Sequence, residues 1–526
     1  MNRLEFLKSV ALVTLAMALP AAAEERVKSP PNVVFFLVDD LGWSDVGCYG
    51  SRFYDTPNID ALAREGVRFT DAYAACHVCS PTRASILTGK YPARLHLTDW
   101  LPGRREFPFQ KLKNAEIHQY LPRDEVTLAE ALKTHGYRTA IFGKWHLGEE
   151  PNGPHAQGFD VQIPRWNKGW PRAGYHAPFQ LDGLEDAEGD YLTDRLTDEA
   201  LAYIESNRDR PFFLYFSHFA VHDPIQGRGD LVDDYEEKLS KMAPRQGASF
   251  ILEGNPDAED PLSREELDAL SREEPYEGYK VLPNQVVKIK QHQDNAQFAA
   301  MVESMDQSLG RVRAKLEELD IADNTIVVFF SDNGGMSAAN FGNPRTVIPE
   351  DKLDTAYSTS NLPLRGAKGW LYEGGIRVPM IVKWPQQGGR GTVCNVPVIS
   401  TDFFPSILDM AGLPLQPEHH PDGMSLVPLL KGEKTLERDA IYWHFPHYSN
   451  HGMQSPGGAI RSGDYKLLEY YENGTVQLFN LREDLGEQHD LSESQPERAA
   501  ALRAKLHAWR SDVSANMMPP NPDYAP

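Results

Sequence analysis

The sequence predicts an α/β protein with a large, mainly parallel or mixed central sheet flanked by helices. A smaller C-terminal α+β subdomain with a short antiparallel sheet is predicted to follow. Three observations lead to this prediction: apolar runs that end in polar residues, helical patterns between those runs, and a change to short strands and tight turns after residue 430. Strands that alternate with helices are typical of a parallel sheet covered on both faces.

Four apolar runs are the predicted core strands, and continuous runs of this kind suit strands that are buried on both faces. The runs occupy residues 31–43, 137–148, 210–224 and 324–335. The predicted helices of the same domain occupy residues 58–69, 127–136, 192–206 and 298–320. Ligands of open α/β sheets bind beyond the carboxyl ends of the strands. The polar residues that end these runs are therefore the first candidates for a functional site.

The C-terminal subdomain, residues 431–526, has a different pattern. Turn signals at Ser462–Asp464 and Asn473–Gly474 separate short β-rich runs, which predicts antiparallel strands. A helical pattern at residues 496–513 follows them. Residues 236–283 are rich in charged residues and proline and show weak periodicity, so we expect a surface excursion there.

The N-terminus has the pattern of a secretory signal peptide over residues 1–23. Arg3 and Lys8 flank the start of an apolar stretch, and Ala21–Ala23 provide small residues for cleavage. A membrane anchor is the alternative, but this stretch is too short to span a bilayer, and no other run is long and apolar enough. We expect export to the periplasm, with full secretion as the second choice, and a main domain over residues 24–430.

The charge balance bears on the class of partner. Acidic residues outnumber basic ones by 75 to 53, which gives a formal net charge of −22. A nucleic acid partner is not expected, because neutralising phosphates requires a basic face. A small anion remains compatible with this charge, since Lys, Arg and a metal ion can reverse the potential within one cleft.

Two pairs of oxygen-bearing side chains follow predicted strands: Asp39–Asp40 and Asp332–Asn333. Turn or helix-cap residues are the ordinary interpretation of Asp and Asn at such places. Hard divalent cations, however, take their ligands from carboxylates and amide carbonyls. Two pairs at two strand ends favour a metal site, for Ca²⁺ first and Mg²⁺ as the alternative.

Cys79 stands in the run Cys-Ser-Pro-Thr-Arg, with Cys76 three residues before it. A zinc or redox CxxC site is one interpretation, but no second CxxC or His/Cys set at zinc spacing accompanies it. Buried free thiols are another. Pro81 fits the first turn of a helix, and this would place Cys79 at the positive helix entrance, where anions are favoured.

These residues resemble a known family, the type I sulfatases of the alkaline phosphatase superfamily. Cys79–Arg83 followed by Leu87–Gly89 is similar to one signature of that family, and Gly136–His146 is similar to another. Further matches, in the expected order, are Asp39–Asp40, His222 before Asp223–Pro224, Asp332–Gly334 and Lys368–Pro379. Thr82 departs from the family pattern, which usually has Ser or Ala there. The resemblance runs from about Asn32 to at least Leu408.

The resemblance implies a cofactor, a modified residue and a maturation partner. In the family the cysteine of this motif is oxidised to formylglycine, an aldehyde that hydrates to a geminal diol, so a formylglycine-generating enzyme is the implied partner. The implied metal ligands, for Ca²⁺ or alternatively Mg²⁺, are Asp39, Asp40, Cys79, Asp332 and Asn333.

The resemblance also implies the catalytic residues, which are Cys79, Arg83, Lys144, His146, His222 and Lys368. Formylglycine at position 79 attacks sulfur, and Arg83 and Lys144 steady its charge. His222 and Lys368 bind the sulfate and neutralise or protonate the leaving oxygen. His146 takes the proton that drives sulfate release. His218 competes with His222, but the Pro that follows favours His222.

Alternatives from other functional classes remain open at this point. A phosphate or phosphonate monoester hydrolase shares the fold and the metal chemistry, and an inactive carbohydrate-binding protein would keep the site without turnover. Within the sulfatases, we expect a sulfated carbohydrate substrate of galactose or N-acetylgalactosamine type, with a broad arylsulfatase as the alternative. Candidate sugar contacts, chosen as aromatic rings or as hydrogen-bonding side chains, are Arg165, Trp166, His176, Trp370, His444 and His447.

Overall fold

The computed structural model describes residues 30–272, 281–282, 286–340, 356–385 and 387–525. The predicted signal peptide, residues 1–23, lies outside the described residues, as does part of the 236–283 segment. The strands are β1 Asn32–Val38, β2 Val67–Phe69, β3 Ala72–Tyr73, β4 Arg138–Gly143, β5 Val161–Ile163, β6 Phe212–Ser217, β7 Phe250–Gly254, β8 Val281–Leu282, β9 Val286–Lys290, β10 Thr325–Ser331, β11 Met380–Lys383, β12 Thr392–Cys394, β13 Val398–Ile399, β14 Ile441–Phe445, β15 Gly457–Ser462, β16 Tyr465–Tyr470 and β17 Val476–Asn480.

The helices alternate with these strands through most of the main domain. They are α1 Pro57–Glu65, α2 Cys79–Thr88, α3 Leu128–Thr134, α4 Leu192–Ser206, α5 Gly229–Lys241, α6 Arg264–Leu270, α7 Ala296–Glu318, α8 Glu373–Ile376, α9 Phe403–Met410, α10 Val427–Leu430 and α11 Pro496–Asp512. Short 3-10 turns occupy Gly47–Tyr49, Pro154–Gln157, Ala322–Asn324 and Ser400–Asp402.

The central sheet has eight strands in the order β12-β2-β11-β10-β1-β6-β4-β5. Its middle and one side, β10-β1-β6-β4-β5, are parallel, whereas β11 runs antiparallel to both β10 and β2. The predicted α/β class with a mainly parallel or mixed sheet is confirmed. The four predicted apolar runs contain β1, β4, β6 and β10, which lie side by side at its centre.

Strand β1 shows why a continuous apolar run becomes a central strand. Alternate side chains of a strand point to opposite faces, and both faces of β1 are covered. Val34, Phe36 and Val38 pack into one hydrophobic cluster, with residues of α4 and α7. Val33, Phe35 and Leu37 pack into another, with residues of α2, α3 and α9. The sheet is therefore the middle layer between two layers of helices.

Residues 236–283 differ from the predicted excursion. Within the described part of this range, the end of α5, all of β7 and α6 are regular, and β7 pairs antiparallel with β9 in a small three-stranded sheet. Leu252, Leu267 and Val286 form the buried contact beneath this sheet. In the described part of the segment most charged side chains are exposed, and they hid the periodicity of the buried apolar residues.

The C-terminal region forms the predicted short antiparallel sheet, in the order β14-β15-β16-β17, followed by α11. Helix α11 packs on this sheet through Leu502 and Leu506, which contact Ile460, Leu467 and Leu478 in one buried cluster. The boundary at residue 430 stays a prediction. Among the helices that the structure describes, none combines the length and the apolar character that crossing a bilayer requires.

Candidate active site

The candidate site is built at the carboxyl ends of β1, β10, β4 and β6. Asp39 and Asp40 follow β1, and Asp332 and Asn333 follow β10; all four are buried. Adjacent side chains of a strand would point to opposite faces. Asp40, however, has a left-handed backbone with φ 63°, so the chain turns there and both carboxylates reach the same site.

Hydrogen bonds hold these oxygens together. The Asp40 backbone N–H donates to Asp332 Oδ1 at 3.3 Å, and Asn333 Nδ2 donates to Asp40 Oδ1 at 2.7 Å. The first pair of the sequence is thus linked directly to the second, although 290 or more residues separate them. The sequence pattern anticipated this convergence.

Two cations from separate elements face the carboxylates. Arg83 of α2 donates from Nε to Asp332 Oδ2 at 2.7 Å, and Lys144 donates from Nζ to Asp39 Oδ2 at 2.5 Å. Arg83 also donates from Nη1 to the Lys144 carbonyl at 3.0 Å and to Ser217 Oγ at 2.6 Å. Arg83 therefore cross-links the ends of β10, β4 and β6 beneath the site.

Lys144 follows the end of β4, where Gly143 has φ 99°. A Cβ atom at position 143 would lie 1.9 Å from the Ser217 carbonyl oxygen. Lys144 N–H donates to that same oxygen at 2.7 Å. Only glycine allows the chain to turn this closely past β6 and direct Lys144 into the site.

Cys79 is the first residue of α2, and its Sγ lies 3.2 Å from Nδ1 of His146. The other ring nitrogen of His146, Nε2, lies 2.7 Å from the carbonyl oxygen of Leu101, so Nε2 carries the proton and Nδ1 faces residue 79 as an acceptor. Ser80 Oγ donates to the His146 carbonyl at 2.8 Å, which ties the helix entrance to the histidine backbone.

His222 and Lys368 both lie beside Asp40. Lys368 Nζ lies 2.7 Å from both Asp40 oxygens, and His222 Nε2 lies 3.7 Å from Asp40 Oδ2. His222 Nδ1 lies 2.5 Å from Asp223 Oδ1. The competing histidine, His218, is fully buried against Phe216 and Phe36, so it is a packing residue and not part of the site.

Burial and charge set the protonation of these groups. Burial and the charge of Asp332 raise the pKa of Asp39 to about 8, against the attraction of Lys144. Burial opposes ionisation of Asp40, but Lys368 lowers its pKa. Burial and the charge of Lys144 hold the pKa of His146 well below its ordinary value, which keeps the ring neutral.

His222 titrates in the opposite direction. Burial and Lys368 lower its pKa, but Asp223 and Asp40 outweigh them and raise it to about 9. His146 and His222 both line the cavity of residue 79, and the directions of their pKa shifts favour a neutral ring at His146 and a protonated ring at His222. One is a proton acceptor and the other a proton donor at neutral pH.

The oxygen set fits a hard divalent cation. Oδ1 of Asp39 and Oδ1 of Asn333 are buried and have no hydrogen-bond partner in the structure. Atoms of Asp39, Asp40 and His222 lie within 4.8 Å of one another. Buried polar atoms are rarely left unpaired, and carboxylate and amide oxygens are the ligands that Ca²⁺ and Mg²⁺ take. The histidine is a poorer ligand for such ions, and it also pairs with Asp223.

A cavity of about 350 Å³ opens above these groups. Cys79, His146, His222 and Lys368 line its floor. The remaining lining residues are Trp100, Gly169, Trp170, Asp223, Pro224, Asn340, Asn450 and His451. The structure thus brings the predicted catalytic residues to one cavity, with Arg83 and Lys144 buried beneath it.

The predicted sugar contacts lie elsewhere, and three of them are buried. Trp370 is fully buried, with its ring stacked on Tyr372 at 5.6 Å. His447 Nε2 lies 2.8 Å from Thr98 Oγ1, and both nitrogens of His444 are within 2.8 Å of a tyrosine hydroxyl and a backbone carbonyl. These three side chains pack and cross-link the subdomain and do not line the cavity.

The other three predicted contacts are nearer the surface but also do not line the cavity. Trp166 is half-buried, and its Nε1 donates to the carbonyl of Trp170 at 2.7 Å. Arg165 is exposed, and His176 Nε2 lies 3.1 Å from a backbone carbonyl. Within this loop the aromatic residue that does line the cavity is Trp170, four residues after the predicted Trp166.

The residues missed by the sequence analysis are therefore the cavity walls. Trp100, Trp170, Asn340, Asn450 and His451 come from loops without periodicity. The one available signal was the Trp-rich stretch around residues 166–170. It indicated the correct loop, but the predicted residue was Trp166, whereas Trp170 lines the cavity.

Comparisons with known proteins identify the family. The family model described as Sulfatase matches residues 31–413, which is most of the chain. A second model, described as N-sulphoglucosamine sulphohydrolase, C-terminal, matches residues 367–513. The protein is a sulfuric ester hydrolase with the alkaline phosphatase-like fold. The chain belongs to the sulfatase family.

Individual relatives support the same assignment. A sulfatase of Formosa agariphila is 30% identical over 96% of this chain and 93% of its own length. N-acetylgalactosamine-6-sulfatase of Homo sapiens is 30% identical over 79% of this chain and 68% of its own length. The crystal structure of Ps i-CgsB in complex with k-i-k-neocarrahexaose has a TM-score of 0.68 and 27% identity, and the match covers 92% of this chain and 94% of that chain.

Proposed function

We propose that the protein removes sulfate from a sulfated carbohydrate of galactose or N-acetylgalactosamine type, with formylglycine at position 79 and Ca²⁺ in the oxygen cluster. One observation carries the proposal: Cys79, His146, His222 and Lys368 line a single cavity at the entrance of α2. Two of the relatives named above support the carbohydrate class. One is described as an N-acetylgalactosamine-6-sulfatase, and the other was solved in complex with k-i-k-neocarrahexaose.

The implied groups supply chemistry that the unmodified chain lacks. Asp39, Asp40, Asp332 and Asn333 would hold a cation, and the cation would neutralise sulfate charge and acidify a hydroxyl at position 79. Oxidised and hydrated, residue 79 offers one hydroxyl as nucleophile and a second hydroxyl from which a proton can be removed to release sulfate.

The remaining residues bind the sulfate and move protons. Lys368 and protonated His222 face the cavity floor, where they bind sulfate oxygens and stabilise the charge that develops on the leaving alcohol. His222 Nε2 is the available donor, because Nδ1 is held by Asp223. His146 Nδ1, 3.2 Å from the residue 79 side chain, accepts a proton from it. Arg83 and Lys144 counter the buried carboxylates beneath.

Two measurements test the proposal. The peptide that contains residue 79, from protein coexpressed with a formylglycine-generating enzyme, is expected to be lighter than the cysteine form by the difference between thiol and aldehyde. Sulfate release is then measured from monosulfated galactose and N-acetylgalactosamine, 4-nitrophenyl sulfate and 4-nitrophenyl phosphate. Release from the aryl ester alone would indicate the broad arylsulfatase, and faster phosphate release would favour the phosphomonoesterase alternative.

We also propose export, to the periplasm first. The N-terminal pattern of a basic start, an apolar stretch and Ala21–Ala23 supports it. The expected result of cell fractionation with N-terminal sequencing is a periplasmic protein that begins at Glu24. A cytoplasmic protein that retains Met1 or Asn2 would contradict the proposal.

A further inference from the structure

The walls of the active-site cavity have two different chemistries. The aromatic lining residues are Trp170, which is 41% exposed, and Trp100. The polar lining residues include Asp223, Asn340 and Asn450, which we call the polar row. Sugar rings have apolar C–H faces that pack on aromatic rings and hydroxyls that require hydrogen-bonding partners. A cavity whose lining offers both kinds of contact suits such a ring.

The polar row is a connected set of side chains. Asn450 Nδ2 donates to Asn340 Oδ1 at 3.2 Å, and Asn340 Nδ2 lies 3.4 Å from an Asp223 carboxylate oxygen. Asp223 in turn contacts His222 Nδ1. The row therefore extends from the histidine on the cavity floor to Asn450 of the C-terminal subdomain. The Asp223 side chain is 30% exposed, so its oxygens can accept further hydrogen bonds from a ligand hydroxyl.

The loop that carries Trp170 packs against His146. Trp170 is positioned by Gly169, at which a Cβ atom would lie only 2.4 to 2.8 Å from ring atoms of His146. The Trp170 carbonyl accepts the hydrogen bond from Trp166 Nε1, and Arg172 covers the Trp166 ring at 5.6 Å. The backbone beside Trp170 thus packs directly on the histidine that faces residue 79.

We propose that Trp170 and the polar row form the subsite that binds the sugar ring carrying the sulfate, and that Asn450 lets the C-terminal subdomain select which sugar is accepted. This inference rests on the proposed carbohydrate function. A cavity near the lower end of the ~300–1,000 Å³ range of small-molecule sites agrees with one ring beside the sulfate. A site built to hydrogen-bond a hydroxyl discriminates strongly against an analogue that lacks it, because its buried polar groups lose their partner.

The test is a double-mutant cycle between protein and substrate. The probes are galactose and N-acetylgalactosamine monosulfates, the monodeoxy analogues of each, and 4-nitrophenyl sulfate, which carries no sugar hydroxyl. We expect at least one deoxy analogue to have kcat/KM lowered about tenfold or more with the wild-type protein. Asn450→Ala is expected to remove most of that difference, because the hydroxyl of the parent sugar then has no partner and the parent is bound no better than its deoxy analogue.

Trp170 is tested by its selectivity ratio. Trp170→Ala is expected to lower the ratio of kcat/KM for the sugar sulfate to kcat/KM for 4-nitrophenyl sulfate about fivefold or more, mainly through KM, and Trp170→Phe to restore part of it. Phe109→Ala removes a similarly exposed ring, 44% exposed, that does not line the cavity. This control is expected to leave the ratio unchanged.

Folding is controlled separately. Asn450→Ser and the thermal unfolding midpoint of each variant distinguish a lost hydroxyl contact from a disrupted loop, since a loop effect lowers activity equally on parent and deoxy substrates. The subsite would be overturned if kcat/KM were the same for the deoxy analogues as for the parent sugar sulfates. It would also be overturned if a lower kcat/KM for an analogue persisted in Asn450→Ala. A wild-type protein that cleaves only 4-nitrophenyl sulfate would instead overturn the carbohydrate function on which the subsite rests.

Discussion

Lys466 Nζ lies 3.0 Å from Glu373 Oε1, and both side chains are fully buried. Lys466 belongs to β16 of the C-terminal sheet, and Glu373 begins α8, shortly after Lys368 on the cavity floor. Glu487 lies 2.9 Å from the same nitrogen. One ammonium group therefore joins the C-terminal subdomain to the segment that carries a predicted catalytic lysine.

Replacing this lysine is expected to destabilise the protein strongly. Lys466→Met leaves two buried carboxylates without their shared cation, and breaking a buried pair in this way costs about 3–5 kcal/mol. The free energy of unfolding from urea titration measures the loss. Lys505→Met is the control, because Lys505 and its partner Asp439 are 44% and 73% exposed and such a pair contributes less than about 1 kcal/mol. Equal losses in both variants would contradict the assignment.

The same cluster predicts a pH dependence of stability. Burial and Glu373 raise the pKa of Glu487 from 4.5 to about 7, against the attraction of Lys466. Between these values the unfolded chain has lost the proton that the folded chain keeps, so the contribution of Glu487 to stability falls as pH rises. Glu373, whose pKa is lowered to about 2, changes the stability only below this pH window. The free energy of unfolding of Glu487→Gln is expected to fall less than that of wild type between pH 5 and pH 7. The same pH dependence in both proteins would refute this.

Lys144 is expected to be essential for turnover. It pairs with Asp39 at 2.5 Å inside a fully buried cluster, so Lys144→Ala removes the nearer of the two cations beside that carboxyl group, the other being Arg83 at 3.8 Å. We expect kcat/KM on 4-nitrophenyl sulfate to fall about 10²–10⁴-fold, the range for loss of a positioned charged or proton-transfer group. Lys133→Ala, which removes a half-exposed lysine that pairs with Asp160, should retain activity. Retained activity in Lys144→Ala would remove the lysine from the mechanism.

Metal removal is expected to lower both activity and stability. A cation that binds only the folded state stabilises it by about 2.7 kcal/mol at a hundred times its Kd. Chelation should therefore lower the unfolding midpoint and sulfatase activity, and Ca²⁺ should restore both. Asp332→Asn, which removes one carboxylate of the oxygen cluster, is expected to blunt the response to Ca²⁺. A wild-type protein that is indifferent to chelator and to added Ca²⁺ would contradict the metal assignment.

Gly143 provides a steric test of the site's construction. Both Gly143 and Gly136 have positive φ, 99° and 84°, so alanine carries a backbone cost of roughly 1–2 kcal/mol at either position. At Gly136 nothing lies within 4 Å of the added Cβ, whereas at Gly143 the Ser217 carbonyl oxygen is 1.9 Å away. Gly143→Ala should therefore lose more stability than Gly136→Ala, and only Gly143→Ala should lose activity. Similar losses in the two variants would count against the close approach.

The centre of the fold was predictable because its strands are buried on both faces. Continuous apolar runs mark such strands, and the run at residues 31–43 contains β1. The predicted helix at residues 192–206 has the same bounds as α4. The predicted helix at residues 58–69 was too long, because Gly66 ends it and Val67–Phe69 pairs with β11 instead. That pairing depends on a strand more than 300 residues away, as the partner Val382 of Val67 shows.

The floor of the site was predictable, and its walls were not. Asp39, Asp332 and Lys144 follow central strands, so the end of each strand fixes where its side chain lies. Trp170 and Asn450 sit on loops whose position depends on contacts across the whole molecule. Residue type alone does not distinguish a cavity ring from a packed one, which is why Trp370 and Trp170 could not be ranked from sequence.

All ten residues of α2, from Cys79 to Thr88, are buried, and Cys79 itself is only 3% exposed. A modifying enzyme of the kind proposed above would have no access to Cys79, Pro81 and Arg83 once the helix is packed. The proposed oxidation would therefore have to precede the packing of this core, and chains that fold first would be well formed but inert.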